Sequence, residues 1–231
     1  LITALSAPMS QGRLYEVDMR LRPSGNKGPV ATSWQSFRSY QQEEAWVWEH
    51  LALTRAAVIA GPDELAADVD AFRCELLGRG RSLAEVAREV AVMRDRIRAA
   101  KSPSSVWDVK TGPGRLQEIE LLAQAGALIT GATDSSDGLQ HAVKAGLTDD
   151  SGSRILQDAT DLYGTLHLAM RLLSETDTDP AELGPSAQDF LLRTTGAETL
   201  DALQSQLTRT ASASRQVIDT ALDPWRTEGE A

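Results

Sequence analysis

The amino-acid sequence predicts a mainly α protein, a helical bundle preceded by a short β segment. Two observations lead to this fold class. Alternation of apolar and polar residues is confined to residues 1–32, and beyond them apolar residues recur at spacings of three and four, as on one face of a helix. The 231 residues are 42% hydrophobic and 24% charged, a globular composition that is long enough for one large domain or two small ones.

The β segment is a strand predicted over residues 14–22, with the sequence LYEVDMRLR. Tyr15 and Val17 favour extended backbone, and the Pro-Ser-Gly turn at 23–25 ends the strand. Val30 and Thr32 are compatible with a short second strand. Because a lone hairpin is marginally stable in water, we expect this segment to pack on the helices or on a preceding domain.

Helices are predicted throughout the remainder of the chain. Ser82 and Glu85 have the spacing of a capping box, S-x-x-E, at the start of one of them. The apolar residues between Ile155 and Leu173 form a stripe that is typical of an amphipathic helix. The predicted helices cover residues 34–58, 63–78, 82–100, 115–130, 134–145, 152–175, 186–193 and 197–222. We therefore predict two domains, 1–32 and 33–231, the second with candidate subdivisions near 101–105 and 131.

Charge and composition argue against several classes of function. The net charge is −10, and residues 131–231 carry 7 Lys and Arg against 17 Asp and Glu, whereas residues 1–101 carry 14 against 13. Because phosphate would repel this acidic half, we expect no nucleic-acid partner and place any phosphate site in the first half. No apolar run approaches the roughly 20 residues of a membrane span, so no membrane partner is expected either.

The chain begins with LITALSAPMS, which lacks both an initiating Met and the basic start of a signal peptide. We interpret it as a fragment of a longer cytoplasmic protein. The single cysteine, Cys74, permits no internal disulfide and no Cys-based metal cluster, and we expect it to be a small buried residue of a helix.

Asp18 is an acidic residue within the apolar pattern of the predicted strand. Arg20 and Arg22 follow at a spacing of two, so the three side chains share one strand face. Two interpretations stay open from these residues alone. They form a surface ion pair, or Asp18 is a metal-binding carboxylate beside cations that hold phosphate.

Three blocks of sequence resemble a known family. They are LYEVDMRLRPSG at 14–25, SFRSYQQEEAWVWEHLALTRAAVIAG at 36–61 and VWDVKTGPGRLQEIELLAQ at 106–124. Together they resemble the glutamine-synthetase adenylyltransferase family, most closely its adenylylating, C-terminal half. The resemblance covers about residues 1–130, and the remainder is similar only in its helical pattern. It implies transfer of AMP from ATP to a tyrosine of glutamine synthetase, with Mg²⁺, and makes the predicted strand the remnant of a nucleotidyltransferase domain.

The resemblance assigns roles to the first block. Enzymes of the nucleotidyltransferase superfamily hold metal with a paired D-x-D motif and a third carboxylate on a later strand, and Asp18 matches the third position. The paired motif is absent from this sequence, since the spacing in Asp134-Ser-Ser-Asp137 is wrong. We expect it upstream, and we expect this chain alone to be inactive. Arg20 and Arg22 would either neutralise phosphate or pair with an acid of the following helix.

The second and third blocks supply supporting residues. Glu49 matches the family's W-E pair and is the expected partner of Arg20 or Arg22, or a support for the metal site. Lys110, before the Gly-Pro-Gly turn, could reach a phosphate. Glu118 and Glu120 follow that turn, on different faces of a helix because their spacing is two. A helix start decorated with charges is the alternative interpretation of this block.

The chain departs from the family pattern at three positions of the third block. They are Arg115, Glu118 and Leu121, where the family has Gly, Asp and Phe. Trp46 and Trp48 are expected in the core rather than stacked on a nucleotide.

Three functions remain open at this point. The first is part of the adenylylating enzyme, a bifunctional regulator of nitrogen assimilation. The second is a non-catalytic helical module that binds glutamine synthetase or a PII-type signalling protein. The third is the deadenylylating half of the family, although the wording DMRLRPSG favours the adenylylating half.

Overall fold

The structure is a computed structural model that describes Thr3, residues 6–10, Gly12 and residues 22–133, 137–174 and 178–226. The predicted strand at 14–22 lies outside the described residues except for Arg22, so it stays a prediction. Within the described part of the chain no β-strand is present, and the only β-type pairing is an isolated antiparallel bridge between Met9 and Gly12. Residues 30–32 form a bend and an irregular segment, so the second strand expected there is wrong.

The described residues contain nine α-helices, which confirms a mainly helical protein. In chain order these are α1 (Trp34–Glu43), α2 (Val47–Leu53), α3 (Asp63–Gly78), α4 (Leu83–Ala100), α5 (Leu116–Thr130), α6 (Gly138–Lys144), α7 (Asp150–Leu173), α8 (Pro185–Thr195) and α9 (Leu200–Leu222). Asp149 caps α7 by accepting from Gly152 N at 2.7 Å, and Thr199 caps α9 by accepting from Ala202 N at 3.1 Å. Ser82 is the N-cap of α4, but its side chain makes no cap hydrogen bond, so the predicted capping box does not form.

One predicted helix, 34–58, is two helices in the structure. The chain leaves α1 at Glu44, and Tyr40 O accepts from both Glu44 N and Ala45 N at 2.9 Å. Trp46 is extended, with φ −77° and ψ 158°, and becomes the N-cap of α2. Glu49 stabilises this restart because its carboxylate accepts from Trp46 N at 2.9 Å. The break brings α2 back beside α1.

Helix α5 lies at the centre of the fold, in contact with α2, α3, α4, α6, α7 and α9. Ile119, Leu122 and Leu128 on this helix are buried, and each such side chain contributes about 1.5–3 kcal/mol through burial. Gly126 allows α6 to approach closely, because a Cβ atom there would lie 2.3 Å from Ala142 N. The third sequence block thus runs through the core.

Residue burial tests two expectations from the sequence. Leu156, Tyr163 and Leu166 are buried on α7, which confirms the stripe predicted there. Cys74 is exposed, so the expectation that it is buried is wrong. The reason is the helix face: α3 buries Phe72 and Leu76, and Cys74, two residues from each, lies on the far side. Among the described helices, none has the length and apolar character needed to cross a membrane.

Candidate functional site

The structure distributes the predicted site residues over three places. Arg22 and Glu49 line one cavity beside α1 and α2. Glu118 lies in a network of charges between α4, α5 and α9. Lys110 lines a different cavity near α7. Asp18 and Arg20 lie outside the described residues, and their roles stay predictions.

Glu49 is a buried carboxylate, 7% exposed, in the first turn of α2. Its two oxygens accept from Tyr40 OH at 2.9 and 3.0 Å, and Oε2 also accepts from Trp46 N. Burial and the neighbouring Glu49 raise the pKa of Tyr40, which keeps the phenol protonated as a donor. Glu49 thereby ties α1 to α2 through hydrogen bonds from uncharged groups.

A cavity of about 260 Å³ lies beside Glu49, and we call it the Gln41 cavity. It is lined by Arg22, Pro23, Phe37, Gln41, Trp48, Glu49, Ala52, Leu53, Arg55 and Ala56. These residues come from the first and second sequence blocks, so the fold brings the two blocks together at one place. Trp48 is half-buried in the wall and Trp46 is 64% exposed, so the expectation that both belong to the core is wrong.

A tight loop after the predicted strand holds Arg22 at the cavity. Arg22 O accepts from Gly25 N at 2.8 Å, and Arg22 Nε donates to Gly28 O at 3.3 Å. A Cβ atom at Gly28 would lie 2.0 Å from Pro23 O, so the loop requires glycine there.

Glu118 and Glu120 point to different places, as their spacing predicts. Glu120 is half-exposed and pairs with Arg55 at 3.1 Å, at the rim of the Gln41 cavity. Glu118 is 4% exposed and faces α4 and α9. The two carboxylates therefore cannot bind one ion together.

Glu118 is the centre of a cluster of ion pairs and hydrogen bonds. We call it the Glu118 clamp and define it as Arg94, Arg98, Gly114, Glu118 and Asp219. Arg94 Nε lies 3.1 Å from Glu118 Oε1, and Arg98 Nη2 donates to Oε2 at 3.0 Å. Gly114 N donates to the same Oε2 at 3.0 Å. Both arginines also pair with Asp219 of α9.

The electrostatics of Asp219 match this arrangement. Burial alone would raise the pKa of Asp219, but hydrogen bonds and charge from Arg94, with Arg215 and Arg98, outweigh burial and lower it. The clamp thus joins α4, α5 and α9 through ion pairs.

Lys110 lies in the loop before α5, with its backbone N donating to Asp108 Oδ1 at 3.2 Å. Its cavity of about 620 Å³ shares no lining residue with the Gln41 cavity. Lys101, His167 and Arg171 line it together with Lys110, but so do Asp108, Asp179 and Glu182. The mixed charges do not single out an anion, and Lys110 as a phosphate ligand stays a prediction.

The described carboxylates of the predicted site do not fit an Mg²⁺ site. Within residues 22–133, 137–174 and 178–226, no group of three His, Cys, Asp or Glu side chains is arranged to hold a metal ion. Glu49, Glu118 and Glu120 are engaged by the partners given above. A metal role therefore rests on Asp18 alone among the predicted residues.

Among the buried polar residues that were not selected from the sequence, Gln41 and Arg94 carry a sequence signal. Arg94 is 2% exposed and follows Val90 by four residues, so it lies on the apolar face of α4. Gln41 is 4% exposed and follows Phe37 by the same spacing. A polar residue at the spacing of a buried stripe is a candidate for a buried network or a ligand contact.

Comparison with known proteins adds a separate observation. Residues 1–72 match the family model described as glutamate-ammonia ligase adenylyltransferase, and residues 84–222 match the model described as GlnD PII-uridylyltransferase. Two curated relatives are each named bifunctional glutamine synthetase adenylyltransferase/adenylyl-removing enzyme. The one from Rhizobium meliloti is 40% identical to this chain, and the one from Mesorhizobium japonicum is 39% identical. The matches cover 94% and 98% of this chain. The chain belongs to the glutamate-ammonia ligase adenylyltransferase family.

The chain spans about a quarter of the length of its curated relatives, since each match covers 23% of the relative. A third relative with the same name, from Xanthobacter autotrophicus, is 36% identical over 96% of this chain. The two family models meet between residues 72 and 84, at the end of α3, and α4 to α9 fall in the second.

Arg115 is where this chain departs most in size from the adenylyltransferase pattern. Its guanidinium donates to Asp108 O and, at 3.0 Å, to Ser105 O. Burial lowers the pKa of Arg115, although the nearby Asp108 opposes this. Arg115 therefore braces the loop before α5, and its side chain points to that loop, at residues 105–108.

Proposed function

We propose that the chain is part of an enzyme that transfers AMP from ATP to a tyrosine of glutamine synthetase, in the cytoplasm, and so regulates nitrogen assimilation. The observation that carries the proposal is the family match over residues 1–72, which contains the LYEVDMRLRPSG and AWVWEH blocks. The names of the relatives support it, since each is a glutamine synthetase adenylyltransferase. The activity is that of the whole enzyme, and this chain spans about a quarter of the length of the relatives.

The proposed roles follow from the first block and its neighbours. Asp18 would be one carboxylate for Mg²⁺, which stabilises the charge that develops on the transferred phosphoryl group. Arg20 and Arg22 would hold phosphate oxygens, since guanidinium groups bind them bidentately. Glu49 would support Arg20 or Arg22 from α2. Residues 1–32 would then end a nucleotidyltransferase domain, and the helical remainder would follow it.

A second candidate function is a helical module that binds glutamine synthetase or a PII-type signalling protein. The observation that favours it is the match of residues 84–222 to a model described as GlnD PII-uridylyltransferase, an enzyme that by its name acts on PII. The two functions are compatible in one protein, because they occupy different helices. They differ in which residues, when substituted, would change the rate of AMP transfer.

The experiment incubates labelled ATP and Mg²⁺ with glutamine synthetase and either the full-length protein or this 231-residue chain. We expect label on the synthetase with the full-length protein only, because one carboxylate cannot assemble a two-metal site. Circular dichroism of the chain serves as the folding control. Absence of label with the full-length protein would refute the proposed transfer, and label with the chain alone would refute our account of its missing carboxylates.

A binding measurement addresses the second candidate. The chain would be immobilised and exposed to glutamine synthetase or to a PII protein. Saturable binding of either supports the module, and its absence for both contradicts it.

A further inference from the structure

The Gln41 side chain is a buried amide without a hydrogen-bond partner among the described residues. It is 4% exposed, and its Oε1 atom is buried and unpaired within that part of the chain. Leaving a buried polar group unpaired costs about 1–3 kcal/mol. Buried amides in native proteins are usually satisfied, so an exception calls for a missing partner.

Gln41 is held firmly in this unsatisfied position. Its backbone O accepts from His50 Nε2 at 3.0 Å, and His50 Nδ1 accepts from Arg81 at 2.8 Å. Arginine only donates hydrogen bonds, so His50 is the neutral tautomer with its proton on Nε2. The chain from Arg81 through His50 to Gln41 fixes the end of α1 from two other elements.

The cavity beside this amide has a lining that suits an aromatic ring. Phe37 and Trp48 contribute aromatic surface, and Ala52, Leu53 and Ala56 contribute apolar surface. The volume of about 260 Å³ is below the roughly 300–1,000 Å³ of pockets that enclose whole small molecules. A ring system with a substituent that leaves the cavity matches this size better than a whole nucleotide.

We infer that the Gln41 cavity binds the adenine ring of ATP and that the Gln41 amide recognises its edge. The inference rests on the proposed function and adds to it the place of the base. The amide of glutamine is planar and presents an N–H donor beside an oxygen acceptor. The N–H can donate to N7 of adenine while the oxygen accepts from the 6-amino group. An aromatic side chain in the cavity wall can stack on the base, which is worth about 1–3 kcal/mol.

Two features favour a nucleotide over the tyrosine ring of the acceptor protein. A phenol hydroxyl satisfies only one of the two hydrogen-bonding positions of an amide, whereas the adenine edge satisfies both. The lining also contains the guanidinium groups of Arg22 and Arg55, whose positive charge favours a ligand that carries phosphate, although Arg22 donates to Gly28 O and Arg55 pairs with Glu120.

The decisive experiment compares ATP with purine riboside triphosphate, which lacks the 6-amino group, as donors for the full-length protein. The unaltered protein should show a lower KM for ATP by about tenfold, the discrimination expected of one bidentate amide–base pair. Gln41→Met, which keeps size and removes the amide, should raise the KM for ATP and abolish this preference while changing kcat little. Gln35→Met is the matched control, because Gln35 is exposed on the same helix, and it should keep the preference.

A second variant tests the cavity without touching the amide. Ala52→Leu fills the apolar wall and should raise the KM for both nucleotides equally. The unfolding temperature of Gln41→Met should not fall, because the change removes an unsatisfied polar group. Retained preference for ATP in Gln41→Met would overturn the inference. So would a raised KM for glutamine synthetase alone, which would assign the cavity to the acceptor tyrosine.

Different results would refute the proposed function and the adenine site. If no variant and no unaltered protein transfers AMP, the proposed function fails. The place of adenine is then tested by calorimetric titration of ATP into the same proteins, with weaker binding to Gln41→Met supporting it and equal binding refuting it. If transfer proceeds and Gln41→Met discriminates normally, the proposed function stands and the adenine site falls.

Discussion

Glu49 and Glu118 are both buried carboxylates, but their partners differ. Glu118 lies between Arg94 and Arg98, with a backbone amide on its remaining side. The described hydrogen bonds to Glu49 come instead from a phenol and a backbone amide. The environment of Glu118 is closed and compensated in charge, whereas that of Glu49 borders an open cavity with an unpaired amide.

This difference separates two tasks within one chain. The Glu118 clamp joins three helices of the core through ion pairs that include the buried Arg94 and Glu118. The Glu49 region keeps unsatisfied polar and exposed aromatic groups, which is the composition of a surface that binds something. The comparison therefore assigns stability to Glu118 and function to Glu49.

The largest expected effect is on stability, from Glu118→Gln. The substitution removes the charge that faces the buried Arg94 and the half-buried Arg98, and breaking a buried ion pair from one side costs about 3–5 kcal/mol. Denaturant unfolding of the 231-residue chain measures it. Glu120→Gln is the matched control on the same helix, and since its pair with Arg55 is half-exposed, we expect a loss of only about 0–1 kcal/mol. An equal loss of unfolding free energy in the two variants would contradict the special role of Glu118 in stability.

The next effect is on chemistry, from Asp18→Asn in the full-length protein. Loss of a group that stabilises transition-state charge is worth about 2.7–4 kcal/mol, or roughly 10²–10³ in rate. The transfer assay at saturating Mg²⁺ measures it, and the unfolding curve of the variant should match the parent. Near-normal turnover would mean that Asp18 is a structural residue. It would also weaken the assignment of function to the region around Glu49.

A smaller loss of stability is expected from Gly114→Ala. Gly114 has φ +71°, and its Cβ atom would lie 2.1 Å from Ala211 O of α9. The left-handed backbone alone costs about 1–2 kcal/mol for an L residue, and the clash adds to it. Gly164→Ala on α7 is the control, because that Cβ meets open space and alanine should stabilise the helix by about 0.5–1 kcal/mol. Unfolding curves that move together in both variants would contradict the close approach of α9 to the clamp.

The smallest expected effect is on the pH dependence of the free energy of unfolding, and it comes from His50, the neighbour of Glu49. Burial lowers the pKa of His50 below its ordinary 6.5, and Arg81 adds to this while Glu49 and Glu85 oppose it. The folded state therefore holds His50 neutral while the unfolded chain takes up its proton near 6.5. Stability is fully present above that pH and falls as the pH drops through 6.5 toward the folded pKa.

Unfolding free energies at about pH 7.5 and 5.5 measure this loss around the ordinary titration range of histidine. His50→Gln should lose less stability than the parent over the same interval. An equal loss in both proteins would mean that His50 does not hold Gln41 in the way described.

The sequence predicted most helices because their cause is local. Apolar spacing placed α4 and α7 within a few residues of their observed ends, and glycine and proline marked most of the breaks. The division between α1 and α2 was not predictable in this way, because residues 34–58 contain neither glycine nor proline. The break depends on Glu49 capping Trp46 and on the approach of Tyr40, which are contacts that only the fold brings about.

The residues of the candidate site also fall into those that the sequence could reveal and those that only the fold reveals. Arg22 and Glu49 were selected by resemblance and do lie on one cavity. Gln41 lies in the second block but was not selected, Arg94 lies in no block, and both became visible through burial. Lys110 was selected from its place before a glycine turn, and the structure places it on another cavity. Spacing reveals which residues share a helix face, but it does not reveal which of several faces meets the site.

The most direct test of the division between function and stability measures both properties for both carboxylates. Glu49→Gln and Glu118→Gln would be compared by kcat/KM for AMP transfer in the full-length protein and by unfolding free energy in the 231-residue chain. We predict that Glu49→Gln lowers kcat/KM by about tenfold or more, the worth of hydrogen bonds to a charged group, and costs less stability than Glu118→Gln. Glu118→Gln should keep its kcat/KM at a temperature at which it is folded. The reverse pattern, with full activity in Glu49→Gln and lost turnover in a folded Glu118→Gln, would contradict the account.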